Sequence, residues 1–391
     1  MKHVLPSAAL LLVFPLLILS LLCDFSAIRQ TETAAKEVMN DAVLTATLTE
    51  NPSLTVSAKH ALLMTADGHI IYGKNETARA EPASCTKIMT ALLAVEYLET
   101  HALDTKITVS KTAVGIEGSS IWLEEGEEVT LLDLVYALML ASANDAAIAI
   151  AEAVSGSQEA FVAAMNEKAE ALGLSDTHFD NPHGLPSDTH YTTAVSLARL
   201  MAEAMKHPLF ARITNTRQYT LKSDSGTRYL ANHNRLLSSY EHTVGGKTGF
   251  TKRAGRCLVS AATYNGAKLI AVTLSAPDDW NDHETMYRYG FENWEAVTIP
   301  PKTYALPTVA GISSTLSISS QELCLTLPKA RGELTLSVEA PRFLYAPIAQ
   351  GDAIGKITVC LADQAVAVLP LTADHAVDAE KPKGFFRRLF S

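Results

Sequence analysis

The spacing of apolar residues separates the middle of this 391-residue chain from the segments on either side of it. Residues 131–205 follow the helical period, with apolar side chains three or four positions apart. Asp67-Gly68 lies between two short apolar runs before this middle segment, and Asn265-Gly266 lies between two more after it, as in β-hairpins. Strands on both sides of a helical middle predict one α/β (α+β) domain, which we assign to residues 58–297.

Beyond residue 301 the helical pattern disappears. The chain becomes rich in Thr, Ser, Val and Leu with alternating polarity, as in Leu316-Ser317-Ile318-Ser319, which predicts a small all-β domain at residues 302–372. Residues 373–391 form a tail that ends in basic and aromatic side chains, among them Lys383 and Phe385. Two interpretations of the tail stay open: a disordered end, or a segment that lies on an anionic membrane surface, which we favour.

The first 27 residues have the pattern of an export signal. Lys2 precedes an uncharged apolar run at residues 4–22, and small residues follow the run. The run is also long enough to cross a bilayer, although Pro6 and Pro15 disfavour a continuous helix. We expect a cleaved signal peptide at residues 1–27, with an uncleaved anchor as the alternative, and a linker at residues 28–57. In either case the protein is exported.

Charge and cysteine content argue against two kinds of function. The chain has 32 Lys and Arg against 42 Asp and Glu, so its net charge is −10 and no basic stripe is present to bind nucleic acid. None of the five cysteines has CxxC spacing, so we expect neither a metal site nor a cofactor. Cys324 and Cys360 lie in the same C-terminal region, where a disulfide and two free thiols both remain open.

The first candidate site is Ser84-Cys85-Thr86-Lys87, which follows Pro82, a residue suited to the first turn of a helix. Residues three apart share a helix face, so Ser84 and Lys87 project side by side. A serine becomes nucleophilic when a base takes its proton, and a lysine can be that base when burial or nearby cations lower its pKa. We predict Ser84 as nucleophile and Lys87 as base; a capping serine and a surface lysine are the structural alternative.

Ser142-Ala143-Asn144 is the second candidate, just before an Ala-rich helix. The hydroxyl of Ser142 can pass a proton towards a leaving amine. The amide of Asn144 can hold both a substrate backbone and Lys87. A capping asparagine at a helix start is the alternative interpretation.

The third candidate is residues 247–251, Lys247-Thr248-Gly249-Phe250-Thr251, which lead into a strand. Gly249 has no side chain to keep an extended peptide away from the strand edge. Lys247, Thr248 and Thr251 are candidates for binding a terminal carboxylate. The N–H of Phe250, with that of Ser84, is a candidate oxyanion donor.

The order and spacing of these motifs resemble a known enzyme group. Ser142 and Lys247 lie 58 and 163 residues after Ser84, distances that suit penicillin-binding proteins and class A β-lactamases. Residues 58–355 resemble the serine D-alanyl-D-alanine carboxypeptidases of peptidase family S11, low-molecular-mass penicillin-binding proteins that trim the terminal D-alanine from cell-wall pentapeptides. Further segments share this resemblance: Asn181-Pro182-His183-Gly184-Leu185, Asn234-Arg235-Leu236-Leu237, Ala254-Gly255-Arg256-Cys257-Leu258, Tyr289-Gly290-Phe291 and Gly351-Asp352-Ala353-Ile354-Gly355.

The resemblance implies a β-lactamase/transpeptidase-like catalytic domain that acts on peptidoglycan pentapeptide stems and binds β-lactam antibiotics, at the extracytoplasmic face of the bacterial membrane or in the cell wall. It implies that Ser84 is acylated, that Lys87 and Ser142 move protons, and that the substrate cradle is formed by Asn144 and residues 247–250. His183 is expected to be a structural loop residue.

One feature departs from the resemblance. Some relatives have an arginine near the substrate carboxylate, after the strand predicted at residues 269–276. Here residues 277–281 are acidic instead. Carboxylate binding is therefore left to Lys247 and Thr248 with Thr251.

Two alternatives compete with a carboxypeptidase. A class A-like β-lactamase needs a carboxylate, usually a Glu, to activate the water that clears its acyl-enzyme, and residues 172–193 contain no Glu. The predicted β domain and tail also have no purpose in a freely diffusing lactamase. An inactive cell-wall-binding relative would keep the fold, but the intact motifs argue against it.

Overall fold

The computed structural model describes residues 54–380. The predicted signal peptide at residues 1–27, nearly all of the linker and the end of the tail beyond residue 380 lie outside the described residues. The predictions for those segments, including a membrane-surface tail, therefore stay predictions. Within residues 54–380, none of the helices combines the length and the apolar character that crossing a bilayer requires.

Helices fill the middle of the described chain, as the apolar period predicts. Thr130, Ser157 and Thr193 each begin a helix by accepting a backbone N–H from its first turn. Short 3₁₀ turns cover Ala83–Thr86 and Lys111–Ala113, and a π-helical turn covers Ala137–Ala141. The α-helices are α1 (Lys87–Thr100), α2 (Leu131–Tyr136), α3 (Asn144–Ser155), α4 (Gln158–Ala171), α5 (Ala194–Ala204), α6 (Pro208–Asn215), α7 (Leu236–Ser239) and α8 (Asp279–Asn293).

The strands of the first domain lie on both sides of the helical middle in sequence. They are β1 (His60–Thr65), β2 (Ile70–Lys74), β3 (Lys106–Thr108), β4 (Glu128–Thr130), β5 (Gln218–Ser223), β6 (Gly226–Ala231), β7 (Thr243–Thr251), β8 (Gly255–Tyr264) and β9 (Ala267–Leu274). The central sheet is antiparallel with the order β2-β1-β9-β8-β7. β3 pairs with β4, and β5 with β6, in two small ribbons.

Alternate residues of the central strands enter two different cores. Leu62 and Met64 of β1 pack in the core shared with α1 to α6. Ala61 and Leu63, which alternate with these two residues along β1, pack with Tyr287 of α8 on the opposite face. Because strand side chains alternate between faces, this pattern covers both sides of the sheet with helices and leaves β7 as one edge.

Both predicted hairpins form. Asn265 and Gly266 alone join β8 to β9, with φ values of 47° and 84°, and two successive positive φ values define the tight turn that suits the twist of paired strands. Asp67 and Gly68 lie in the turn between β1 and β2, with Gly68 at φ 99°. The β8–β9 pairing fixes the register that brings β7 to the sheet edge.

The C-terminal part is all β. Its strands are β10 (Trp294–Ile299), β11 (Thr303–Val309), β12 (Thr315–Ser319), β13 (Leu323–Pro328), β14 (Leu334–Glu339), β15 (Leu344–Tyr345), β16 (Ala353–Leu361) and β17 (Gln364–Ala373). Six of them form a sheet in the order β14-β16-β17-β12-β11-β15, and β10 pairs with β13. Its own hydrophobic core includes Leu316, Ile318 and Leu371. The predicted fold class, an α/β (α+β) domain with a helical middle followed by a small all-β domain, is confirmed.

The predicted domain boundary at residue 297 falls inside β10. Trp294, the first residue of β10, packs against the core beside α8, whereas Ile299, its last residue, belongs to the C-terminal core. One continuous strand therefore connects the two cores.

The cysteines of the described residues are free thiols. Cys324 is exposed on β13 and Cys360 is half-buried on β16, so the disulfide left open by the sequence is not formed. Cys85 and Cys257 are buried. Small buried thiols are the more frequent use of free cysteine in a core.

Candidate active site

Ser84 lies in the 3₁₀ turn Ala83–Thr86, which runs directly into α1. The turn begins with Ala83 at φ 47°, a backbone conformation that residues other than glycine seldom adopt. Gly184 lies so close that a Cβ on it would be 1.9 Å from the carbonyl oxygen of Ala83. A loop from the middle of the chain therefore holds the backbone that carries Ser84.

Lys87 is fully buried one turn after Ser84. Its Nζ lies 3.0 Å from Ser84 Oγ, 2.7 Å from Asn144 Oδ1 and 2.5 Å from the carbonyl oxygen of His183. The last two atoms can only accept hydrogen bonds. A neutral amine has two N–H groups and one lone pair, so a neutral Lys87 that donates to both carbonyl oxygens keeps its lone pair for the Ser84 hydroxyl proton.

The surroundings of the two site lysines favour such a neutral amine. Burial, followed by the nearby cation of Lys247, lowers the pKa of Lys87 well below its usual value. Lys247 is also buried, and burial lowers its pKa to about 8. Two ammonium groups in one buried site disfavour each other, and the contacts of Lys87 suit the neutral partner.

Ser142 and Asn144 approach this lysine pair from the end of a π-helical turn. Ser142 directly follows Ala137–Ala141 and has a left-handed backbone with φ 59°. π-helical turns within helices occur frequently at functional sites. Lys247 Nζ donates a 3.0 Å hydrogen bond to Ser142 Oγ. Asn144 accepts from Lys87 and donates through Nδ2 to the carbonyl oxygen of Glu117 at 2.6 Å.

β7 passes directly beside Ser84. A Cβ on Gly249 would lie 3.0 Å from the backbone nitrogen of Ser84 and 3.0 Å from the carbonyl oxygen of Pro82. Such contacts are tighter than most side chains accept, so glycine allows the edge strand to lie against the Ser84 turn. The strand and the turn together form two sides of one cleft.

A cleft of about 510 Å³ opens on these groups. Of the nine predicted site residues, five line it: Ser84, Ser142, Thr248, Gly249 and Phe250. Three of the others are buried behind its wall: Lys87, Asn144 and Lys247. Thr251 is not brought into the cleft, because its hydroxyl accepts the backbone N–H of Ala254 at 2.9 Å in the β7–β8 turn.

The cleft has an arginine that the sequence analysis missed. Arg256, on β8, donates through Nε and Nη2 to Asp279 Oδ1 at 3.1 and 2.6 Å, and its guanidinium lies 5.5 Å from the ring centroid of Trp280. All three residues line the cleft, with Ser119 and His233. The acidic segment where an arginine was expected thus binds an arginine from another strand. The sequence includes Arg256 in the segment Ala254-Gly255-Arg256-Cys257-Leu258. The residues that surround its side chain in space, however, depend on how the strands pair.

Comparisons with known proteins agree with this geometry. The model of the D-alanyl-D-alanine carboxypeptidase family, peptidase family S11, matches residues 45–278, more than half of the chain. The chain belongs to this family. The model of the penicillin-binding protein 5 C-terminal domain matches residues 313–379.

Individual relatives give the same result. D-alanyl-D-alanine carboxypeptidase DacF of Bacillus subtilis (strain 168) is 33% identical over 334 residues, which cover 82% of this chain and 86% of the relative. DacC of Escherichia coli (strain K12) is 33% identical over 365 residues, which cover 87% of this chain and 88% of the relative. The crystal structure of penicillin binding protein 5 from Haemophilus influenzae matches with a TM-score of 0.69 at 27% identity, over 83% of this chain and 98% of that one. The predicted family, fold and serine peptidase class are confirmed.

Within this carboxypeptidase fold, His183 contributes its backbone. Its carbonyl oxygen accepts from Lys87, while its ring Nδ1 accepts the N–H of Leu185 at 3.2 Å. Burial lowers the pKa of the His183 ring to about 3, so the ring is neutral at physiological pH. In residues 54–380 no cluster of His, Cys, Asp and Glu side chains is arranged to hold a metal ion.

Proposed function

We propose that this D-alanyl-D-alanine carboxypeptidase removes the terminal D-alanine from peptidoglycan pentapeptide stems through an acyl-enzyme on Ser84. The observation that carries the proposal is the buried contact of 3.0 Å between Lys87 Nζ and Ser84 Oγ, with the amine held in place by two carbonyl oxygens. Membership of the family supports the reaction and the substrate class. The roles given below to single residues are part of the proposal.

In the acylation step Ser84 attacks the carbonyl carbon of the penultimate D-alanine while its proton passes to Lys87. The oxyanion that forms is bound by the N–H groups of Ser84 and Phe250. The close approach of Gly249 to the Ser84 nitrogen supports this pairing, because it holds β7 against the nucleophile turn.

Ser142 then protonates the leaving amine. Its Oγ accepts from Lys247 at 3.0 Å, so its own hydroxyl proton is available to the cleft that it lines. As Ser142 gives that proton to D-alanine, it takes one from Lys247. Lys87 has gained a proton in the same half-reaction, so the pair of lysines carries one positive charge before and after.

Arg256 and Thr248 bind the substrate's terminal carboxylate, with Lys247 as a buried cation behind them. Asp279 occupies Nε and Nη2 of Arg256 and Trp280 lies near its guanidinium. These contacts fix the guanidinium, and among the described residues nothing accepts a hydrogen bond from Nη1, which leaves it for a ligand. We assign this role to Arg256 in place of Thr251.

Water then hydrolyses the peptidyl-enzyme: its hydroxyl joins the acyl carbon, its proton passes through Ser142 to neutral Lys247, and Lys87 returns a proton to Ser84 Oγ, so both lysines regain their starting states. Residues 172–193 provide no Glu of the kind that lets a class A β-lactamase clear a penicilloyl-enzyme. A β-lactam bound to Ser84 is therefore released slowly, while the peptide turns over. The decisive experiment compares penicillin labelling and D-alanine release in the wild type and in Ser84→Ala.

We further propose that the protein is exported and acts at the extracytoplasmic face of the membrane or in the cell wall. The apolar run at residues 4–22 supports export. The basic and aromatic residues near the C-terminus support reversible contact with an anionic membrane surface.

A further inference from the structure

Trp122 is displayed on the surface in an unfavourable backbone conformation. Its exposed fraction is 81%, and its φ is +60°. Bulky residues rarely adopt positive φ, and such outliers concentrate at ligand-binding and active sites. Its neighbours Ile121 and Leu123 are both buried, so the backbone is fixed on either side of Trp122 while the indole is exposed to solvent.

Several hydrogen bonds keep Trp122 in this conformation. Asp145, itself buried, accepts the N–H groups of Ile121 and Leu123, each at 3.1 Å from Oδ2. Arg228 donates through Nη2 to the carbonyl oxygen of Trp122 at 2.9 Å, and through Nε to that of Ile121 at 2.7 Å. The backbone of Trp122 is therefore held in place, although its indole gains little burial within the chain.

The same scaffold positions the active site. Asp145 follows Asn144, the residue that holds Lys87. The N–H of Asn144 donates to the carbonyl oxygen of Ser119 at 2.7 Å, and Ser119 lines the cleft. Trp122 is three residues beyond Ser119, within about 10 Å of it along the chain. The backbone of Trp122 is thus within about 10 Å of a residue that lines the cleft, in the segment that also binds Asn144.

The charge around Trp122 indicates the kind of group it would bind. Glu117, Glu124 and Glu125, all exposed, lie within five residues of it in the same segment. Arg228, the cation that donates to the carbonyl oxygen of Trp122, is paired with the buried carboxylate of Glu127. An exposed indole among carboxylates suits a positively charged group on an aliphatic arm, through cation–π attraction and apolar contact.

We propose that Trp122 is a specificity site for an ammonium-bearing aliphatic side chain on the substrate residue that precedes the D-alanyl-D-alanine pair. This inference rests on the proposed carboxypeptidase function. In the proposed reaction the D-alanine pair lies between Ser84 and Arg256, so an earlier substrate residue is the one that extends to the Ser119 side of the cleft. A primary amine with an ordinary pKa near 10.4 is charged at neutral pH.

The test compares two peptides, Nα-acetyl-L-Lys-D-Ala-D-Ala with a free side-chain amine, and the same peptide with that amine acetylated. For the wild type we expect kcat/KM to favour the free amine by roughly two- to fivefold, the size of an exposed cation–π contact. Trp122→Gly should bring the ratio to about one, and Trp122→Tyr should retain part of it. Tyr345→Ala, which removes an aromatic that is 68% exposed in the C-terminal domain, is the matched control and should keep the full ratio.

Glycine accepts a positive φ, so Trp122→Gly should keep or raise the melting temperature. Its rate on the free amine should fall more than its rate on the acetylated peptide, which keeps the apolar contact and lacks only the charge. A wild type that shows no preference for the free amine, or a Trp122→Gly variant that keeps the preference, overturns the inference while leaving the carboxypeptidase function intact. If neither peptide releases D-alanine, the proposed function itself fails.

Discussion

At the scale of single residues, the site depends on two lysines that share one buried space. A buried ammonium is unfavourable unless it is well paired, and two of them are more so. Lys247 has Ser142 and the carbonyl oxygen of Thr248 as acceptors, whereas Lys87 has two carbonyl acceptors and a serine hydroxyl. Burial and the nearby Lys247 cation both lower the pKa of Lys87, whereas burial lowers that of Lys247 to about 8, which supports the proposal that Lys87 is the base and Lys247 the cation of the pair.

Lys87→Arg tests the base directly. A guanidinium remains protonated at any accessible pH, so it keeps the charge and loses the lone pair. We expect the rate of Ser84 acylation by penicillin to fall by about 10²- to 10⁴-fold, the usual contribution of a general base. Stopped-flow labelling would measure the acylation rate, with Lys222→Arg, at an exposed position of β5, as the control. Near-wild-type acylation in Lys87→Arg would remove Lys87 from the mechanism.

The pH dependence reports on Lys247. Its pKa of about 8 means that the ammonium is present below pH 8 and is lost as the pH rises through that value. We expect kcat/KM for the peptide to fall above about pH 8, because Ser142 and the substrate carboxylate lose their cation. Lys247→Arg stays charged, so whatever activity it retains should not show this alkaline fall. An identical alkaline limb in both proteins would assign the titration to another group.

The residues of the site differ in how far the sequence could predict them. Ser84 and Lys87 are three residues apart on one helix, and local geometry alone brings them together. Arg256 and Asp279 meet because β8 pairs with β9 and α8 begins just after β9. No local pattern specifies that meeting. Thr251 looked equivalent to Thr248 in the sequence, and only the turn that uses its hydroxyl separates them.

At the scale of elements, the turn Ala83–Thr86, which carries Ser84, is held by glycine contacts on two sides. The loop that contains Gly184 and the edge strand that contains Gly249 both lie against the turn at distances that leave little room for a side chain. The hairpins around these elements could be predicted, because Asn-Gly and Asp-Gly turns have a strong local preference. The π-helical turn Ala137–Ala141 could not, because its composition resembles that of any buried helix.

Gly184→Ala should damage both stability and acylation. Gly184 has φ +88°, and its new Cβ would clash with the Ala83 carbonyl oxygen. A left-handed alanine costs about 1–2 kcal/mol and overpacking about 1–3 kcal/mol, so we expect a loss of roughly 2–5 kcal/mol in the free energy of unfolding. Gly173→Ala, at φ +67° with nothing within 4 Å, carries the first cost alone. Equal losses in urea titrations of the two variants would contradict the packing argument.

At the scale of the whole molecule, β10 connects the core beside α8 with the core of the C-terminal part. The change from helical to alternating polarity predicted the second domain, because each pattern fits only one way of burying a face. The boundary at residue 297 stays a prediction, and β10 runs from the core beside α8 into a strand pair with β13. The proposed site residues all precede β10 in the chain.

The C-terminal tail can be tested on the mature protein. Its basic residues should add roughly 1 kcal/mol each near an anionic surface, and salt should screen them. We expect co-sedimentation with anionic vesicles at low salt, lost when residues 384–391 are deleted, with unchanged D-alanine release. Equal sedimentation of the full-length and truncated proteins would show that the tail does not bind the vesicles. Any membrane attachment would then come from residues 4–22, retained as an uncleaved anchor.

The central claim is that Ser84 carries the acyl group. The most direct measurement is mass spectrometry of the protein after incubation with penicillin, with the adduct mapped to a peptide and D-alanine release from a D-Ala-D-Ala peptide followed in parallel. We predict one long-lived penicilloyl adduct on Ser84, its absence in folded Ser84→Ala, and continued turnover of the peptide by the untreated wild type. An adduct on another residue, or rapid hydrolysis of penicillin with the peptide left intact, would contradict the account.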